Sequence, residues 1–228
     1  MIFIIDQGHR EDTPGKRYKD FREYEFNEDV AQRLKLKLEE AGQKVILTMI
    51  SEQHNNSEMN SNGRVKNLQH RCDIANTVIE ESVFISIHAN AFDNEEVSGY
   101  SVFHYPTSVK GKKLAQSIHD SAKKNIHVGT EIKDRGIKTE TFYVLRNTRM
   151  PAILIEHEFY TNDRGRERLE NDKFRDKCVD HIFEGLMDYA GIDIQLDYKD
   201  LYTESQERLQ KAYDKLNKII NIIDKGEE

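Results

Sequence analysis

Four polar residues stand where apolar runs end or begin. His9 follows Ile2–Ile5 across a short Asp-Gln-Gly turn, His88 directly follows Val83–Ile87, and Glu156 directly follows Ala152–Ile155. Glu23 lies just ahead of a stretch with helical periodicity. Two imidazoles and a carboxylate suit a divalent cation, and zinc is the ion that fits them best. Three protein ligands leave the fourth tetrahedral position open, which marks a catalytic zinc rather than a structural one. Such an ion lowers the pKa of a water molecule to about 7 and polarises a carbonyl. A further carboxylate nearby can then take a proton and return it to a leaving amine. His9, Glu23 and His88 are therefore the candidate ligands, and Glu156 is the candidate proton carrier. Taken alone, these residues indicate metal-assisted hydrolysis. Asp6 is a candidate hydrogen-bond partner for His9.

The elements that must position these groups follow from the apolar pattern. Strands are expected at Ile2–Ile5, Val45–Met49, Val83–Ile87, Tyr100–Tyr105, Thr141–Leu145 and Ala152–Ile155, with Tyr100–Tyr105 nearer an edge. Helices are expected over Asn27–Ala41, Arg64–Ile79, Val109–Asn125 and Phe174–Tyr189, with Gly42 and Gly191 as stops. This alternation predicts an α/β fold: a mostly parallel twisted sheet of about six strands, with helices on both faces. In such sheets ligands bind outside the carboxyl ends of the strands. If the strands preceding His9, His88 and Glu156 are parallel neighbours, all three residues emerge on one rim. The loop carrying Glu23 joins the first strand to the first helix, so it reaches the same rim.

Resemblance to a known family adds to this reading. Ile4–His9 (IIDQGH), the segment EYEFNEDVAQRL from Glu23, Phe84–Asn90 (FISIHAN) and Ala152–Asn162 (AILIEHEFYTN) resemble successive motifs of the zinc-dependent N-acetylmuramoyl-L-alanine amidases, the amidase_3 family. Asp134–Lys138 (DRGIK) and Phe142–Leu154 (FYVLRNTRMPAIL) match further segments, and the likeness covers roughly residues 1–190. The resemblance implies that His9, Glu23 and His88 hold Zn2+ and that Glu156 is catalytic. It implies cleavage of bacterial peptidoglycan between N-acetylmuramic acid and the L-alanine of the stem peptide. Asn90, Arg135 and Lys138 are expected at the substrate. Glu25, two residues beyond Glu23, is a competing ligand, but the spacing from Glu23 to Asn27 favours Glu23. His157 and Glu158 flank Glu156, and either could share its work.

The chain has 228 residues, a net charge of -7 and 33% charged residues. An acidic chain without a dense basic stripe is a poor nucleic-acid binder. No apolar run approaches the roughly 18 residues of a membrane span, and MIFIIDQGHR reads as a core strand rather than a signal peptide. Synthesis in the cytoplasm, with action on the wall after release, is the expectation, as for a phage endolysin. Two cysteines, Cys72 and Cys178, fit neither a disulfide framework nor a zinc knuckle. The remaining histidines, 54, 70, 104, 119, 127 and 181, read as solvated, and Arg64 and Arg71 as ordinary salt-bridge formers.

Two domains are expected, a catalytic one over 1–191 and a helical extension over 192–228. In the extension Tyr202, Leu209, Leu216 and Ile223 stand seven apart, a stripe compatible with a coiled-coil homodimer or with a helix packed on its own domain. Two rival functions are a wall-binding module that has lost catalysis and another zinc cell-wall peptidase. The intact four-residue set speaks against the first. The wide separation of His9 and Glu23 speaks against the HxxE spacing common in the second.

Overall fold

The computed structural model describes residues 1–11, 13–48, 61–128 and 130–193, with side chains in the second helix from residue 67 onward. The chain parts into two units at Gly191. The expected C-terminal helix and its dimer seam lie outside the described residues.

Six strands form one sheet: β1 (Ile2–Gln7), β2 (Lys44–Leu47), β3 (Ser82–Asn90), β4 (Tyr100–His104), β5 (Asp134–Thr139) and β6 (Ala152–Phe159). Their order is β2-β1-β3-β6-β4-β5. The first four in that order run parallel, β4 is antiparallel to β6, and β5 is parallel to β4. The helices are α1 (Glu23–Glu40), α2 (Ser61–Asn76), α3 (Val109–Asn125), α4 (Tyr143–Asn147), α5 (Asp163–Glu170) and α6 (Asp172–Ala190).

Every residue of β1 is buried, as expected of a central parallel strand covered on both faces. Side chains alternate between those faces. Ile2, Ile4, Phe84, Phe103, Ala152 and Leu154 pack with Cys72 and Ala75 of α2 and Val144 and Leu145 of α4. On the other side α1 lies against β1 and β3, α3 lies against β4, β5 and β6, and α6 packs on both helices. The chain leaves β1 for β2 on one side and returns through α2 to β3 on the other. That reversal opens a crevice at the carboxyl ends of β1 and β3, where α/β sheets bind ligands.

Several expected elements are corrected. Thr141–Leu145 is not a strand; it gives way to α4, and the sixth strand is β5. A short apolar run fits a buried helical turn as well as a strand. Here the consecutive residues Val144 and Leu145 join one apolar cluster on a single side of the sheet, as neighbours on a helical turn can. β5 escaped notice because DRGIKT is a polar, half-exposed edge strand. β4 stands next to the edge strand β5, nearer an edge as expected, and all five of its residues are buried. α1 begins at Glu23, not Asn27. α5 was not expected, since it buries only Gly165 and Leu169. Among the described residues no helix is long and apolar enough to cross a membrane.

Candidate metal centre and active site

His9, Glu23 and His88 converge at the crevice. His9 Nε2 lies 3.3 Å from Glu23 Oε2, and His88 Nδ1 lies 3.0 Å from Glu23 Oε1. The two rings meet edge to face with centroids 5.1 Å apart. One donor atom from each of the three residues falls within 4.8 Å of the others, close enough to share one ion.

Local backbone structure explains each position. Gly8 N–H donates to Ile87 O at 2.9 Å, which extends the β1–β3 ladder to the site. A Cβ on Gly8 would sit 2.3–2.5 Å from three atoms of the His88 ring, so only glycine fits there. His9 then adopts φ 61°, a conformation that non-glycine residues enter at a cost and that clusters at functional sites. The Arg10–Thr13 pairing closes the turn and brings Thr13 O within 3.1 Å of His9 Nδ1. With Nδ1–H donating to that carbonyl, the Nε2 lone pair faces Glu23 and the site.

Glu23 is the first residue of α1, where the helix dipole favours a carboxylate. It is 3% exposed. Asn27, one turn further on, donates from Nδ2 to Gly8 O at 2.8 Å and to Glu23 Oε1 at 3.4 Å. Ala89 N–H (3.3 Å) and Tyr160 O–H (3.4 Å) also donate to the Glu23 carboxylate. Glu25 is exposed and accepts from Tyr24 O–H instead. Gly15, at φ +80°, passes so close that a Cβ would lie 2.5 Å from Glu23 Oε2.

His88 and Glu156 are partners in the parallel register of β3 and β6. Beyond them the register shifts, with His88–Asn90 opposite Glu156–Phe159, so β6 carries a bulge. The bulge separates Glu156 from its neighbours. His157 is fully buried, with Nδ1 3.2 Å from His88 O and Nε2 3.2 Å from His181 Nε2. Glu158 is spent on Gly99 N–H, Phe159 N–H and Arg168 Nη1. Glu156 alone keeps a buried carboxylate oxygen, Oε2, with no partner among the described residues. It faces a cavity of about 290 Å³ lined also by Asp6, His9, Arg71, His88 and Phe142.

Electrostatics divide these groups. Burial pushes Glu156 up to about 8, against the charges of His88 and Lys138 and with that of Glu23. Burial also opposes the charged forms of Glu23 and His88, yet their hydrogen bond outweighs it, so Glu23 is lowered and His88 raised. His9 is lowered, chiefly by burial. These directions belong to the metal-free site; a bound cation adds positive charge that favours carboxylates.

Of the expected substrate residues, Lys138 stands on β5. Its charge reaches Glu156, and its Nζ sits 5.5 Å from the centre of the Phe103 ring. Asn90 ends β3, with its Oδ1 accepting from Ala91 N–H. Arg135 stacks on Phe159 and donates to Ser98 O.

Asp6 is not the partner of His9. It lies in β1, points to the α2 face and accepts from Thr48 Oγ1 at 2.5 Å and Ser86 Oγ at 2.6 Å. His104, His119 and His181 are buried rather than solvated. His181 shares the inner face of α6 with Cys178 and Ile182, and the apolar stripe concealed it. Arg71 does form a salt bridge, but a buried one: it is 3% exposed and its Nη1 lies 3.5 Å from Asp6 Oδ2. His54 and Arg64 lie outside the described side chains. The sequence reading missed Tyr160 and the role of Asn27. The Glu-x-x-x-Asn spacing signalled Asn27, because residues four apart share a helix face.

Comparison with known proteins agrees with this geometry. The N-acetylmuramoyl-L-alanine amidase LytC of Bacillus subtilis is 32% identical over 188 residues, covering 82% of this chain and 35% of LytC. This chain thus spans about a third of that relative's length. The endolysin of Bacillus phage SPP1 is 32% identical over 113 residues, 48% of this chain and 41% of that protein. The CwlD amidase from Clostridioides difficile, solved with the GerS lipoprotein, superposes with a TM-score of 0.75 at 25% identity, covering 84% of this chain and 99% of that one. The profile of Amidase_3, N-acetylmuramoyl-L-alanine amidase, matches residues 3–188, and the chain belongs to that family.

Proposed function

We propose that this protein is a zinc-dependent amidase that hydrolyses the bond between the lactyl carbonyl of N-acetylmuramic acid and the L-alanine of the peptidoglycan stem. The observation that carries this reading is the convergence of His9, Glu23 and His88 beside Glu156 in strand register. The donor set fits zinc: two imidazoles and a carboxylate, with His9 fixed through its second nitrogen. Bound there, zinc supplies Lewis-acid polarisation of the carbonyl and acidifies water.

The protein's own groups do the rest. Glu156 takes the proton of the attacking water as its oxygen bonds to the carbonyl carbon. It then returns that proton to the alanine nitrogen as the C–N bond breaks, leaving a carboxylic acid, which gives up its remaining proton to solvent, and a free amine. The buried Oε2 of Glu156, without a partner among the described residues, supports giving it both transfers. Lys138 adds a cation at the rim. Asn27, Ala89 and Tyr160 hold Glu23 in position.

The test is release of L-alanine amino groups from purified walls. Glu156→Gln should lower kcat by roughly 10²–10⁴ while zinc content stays unchanged. A variant that cuts as fast as the parent removes Glu156 from the mechanism. In biological role we read the enzyme as a lytic one of the phage endolysin kind, supported by the likeness to the SPP1 endolysin. The likeness to LytC favours a bacterial wall amidase as the second reading. Expression inside a host, with and without separate perforation of the membrane, distinguishes them. Lysis that waits for perforation supports the endolysin reading.

A further inference from the structure

Among the described residues, Arg71 is a buried cation with little to hold it. Its residue is 3% exposed, and among the described residues its guanidinium makes one hydrogen bond, the 3.5 Å contact from Nη1 to Asp6 Oδ2. Asp6 is already engaged by two shorter bonds, from Thr48 and Ser86. The Arg71 Nε is buried without a partner among the described residues. A guanidinium presents five donors in a fixed fork and stays charged, so burying it nearly unpaired is costly. Arg71 also lines two cavities. One, of about 290 Å³, is shared with His9, His88 and Glu156. The other, of about 450 Å³, is shared with His9, Thr13 and Lys16. His9 feels its positive charge.

Strand register fixes its depth. Asp6, to which Arg71 is tethered, pairs with Ser86, and His88 lies two residues further along β3 on the same face. Two residues of strand rise by about 6.5 Å. A guanidinium above Asp6 therefore lies roughly that far from the His88–Glu156 pair. In the peptidoglycan stem, the residue after L-alanine is a γ-linked glutamate whose α-carboxyl is either free or amidated. From the scissile nitrogen to that α-carboxyl is one residue plus two bonds, about 5–6 Å when extended.

We propose that Arg71 determines specificity for a free α-carboxylate on the second stem residue, binding it by a charge-assisted, fork-shaped contact. This rests on the amidase reading and names the substrate form that the site prefers. Arg71 acts on binding, not on the bond that breaks.

The experiment uses the full chain loaded with zinc and two muramoyl-pentapeptides that differ only in α-carboxylate or α-carboxamide at residue two. The parent should favour the acid in kcat/KM by about 10- to 100-fold, the range expected for a charged hydrogen bond. Arg71→Met should bring the ratio to about 1 by losing the acid alone, with the amide changed less than about threefold. Arg71→Lys, which keeps the charge without the fork, should show an intermediate ratio and serves if Arg71→Met does not fold. A ratio unchanged in the folded variants, or equal loss on both substrates, overturns the proposal and leaves Arg71 a structural support for Asp6. If the parent cuts neither compound nor whole walls, the amidase reading itself fails.

Discussion

Glu23 and His88 are joined by a 3.0 Å contact across 65 residues of sequence. This contact ties the first turn of α1 to the end of β3 and sets the spacing of the site. Because both oxygens of Glu23 face a histidine, and Glu25 faces solvent, the two carboxylates should behave differently on substitution. Glu23→Gln should weaken zinc binding by more than the roughly 10- to 100-fold that loss of an outer partner costs. Asn27→Ala should fall within that outer-partner range, and Glu25→Gln should match the parent. Competition with a chromogenic chelator measures all three. Comparable losses in Glu23→Gln and Glu25→Gln contradict the assignment.

Gly8 offers a steric test independent of charge. A methyl group there meets the His88 ring at 2.3–2.5 Å, so either the ring or the β1–β3 ladder must move. Gly8→Ala should cost about 1–3 kcal/mol in stability, as overpacking does, and should also lower zinc affinity. Denaturant unfolding of the chelated protein separates the first effect from the second. Parent-like stability together with parent-like zinc binding would refute the close approach.

Buried histidines on the opposite face predict an acid-labile fold. Burial lowers His157 to about 4, below the ordinary 6.5 that it regains on unfolding. His181 is lowered well below its ordinary range, first by burial and then by His157. The sign follows. The unfolded chain binds these protons as pH drops below about 6.5 while the native state does not, so stability falls from there down to about 4. The His157 shift alone corresponds to roughly 3 kcal/mol. Urea unfolding of the chelated protein at pH 7.5, 5.5 and 4.5 should show this decline. His157→Gln, which keeps a donor and an acceptor, should make it shallower, with His181 supplying the rest. An equal slope in parent and variant would place the acid sensitivity elsewhere.

Much of the site was legible because strand ends can be read from sequence. Apolar runs halting at His9, His88 and Glu156 marked three carboxyl ends, and parallel neighbours had to bring them together. Glu23 was harder to place in its element. Helical periodicity begins with Phe26 and Val30, while the first turn contributes a buried carboxylate that looks polar in a hydropathy pattern. His181 was misjudged for the same reason: a polar residue on a helix reads as exposed unless its partner across the fold is known. β5 was invisible because the edge of a sheet needs no apolar alternation, and Gly136 and two basic residues dominate its six positions.

Metal stoichiometry tests the central claim most directly. Elemental analysis of the full chain, purified after zinc saturation and exhaustive dialysis, should find one zinc per chain in the parent and in Glu156→Gln. It should find none in His88→Ala, whose fold is checked by circular dichroism. Zinc retained at full stoichiometry by a folded His88→Ala, or absent from the parent, would contradict the proposed centre of His9, Glu23 and His88.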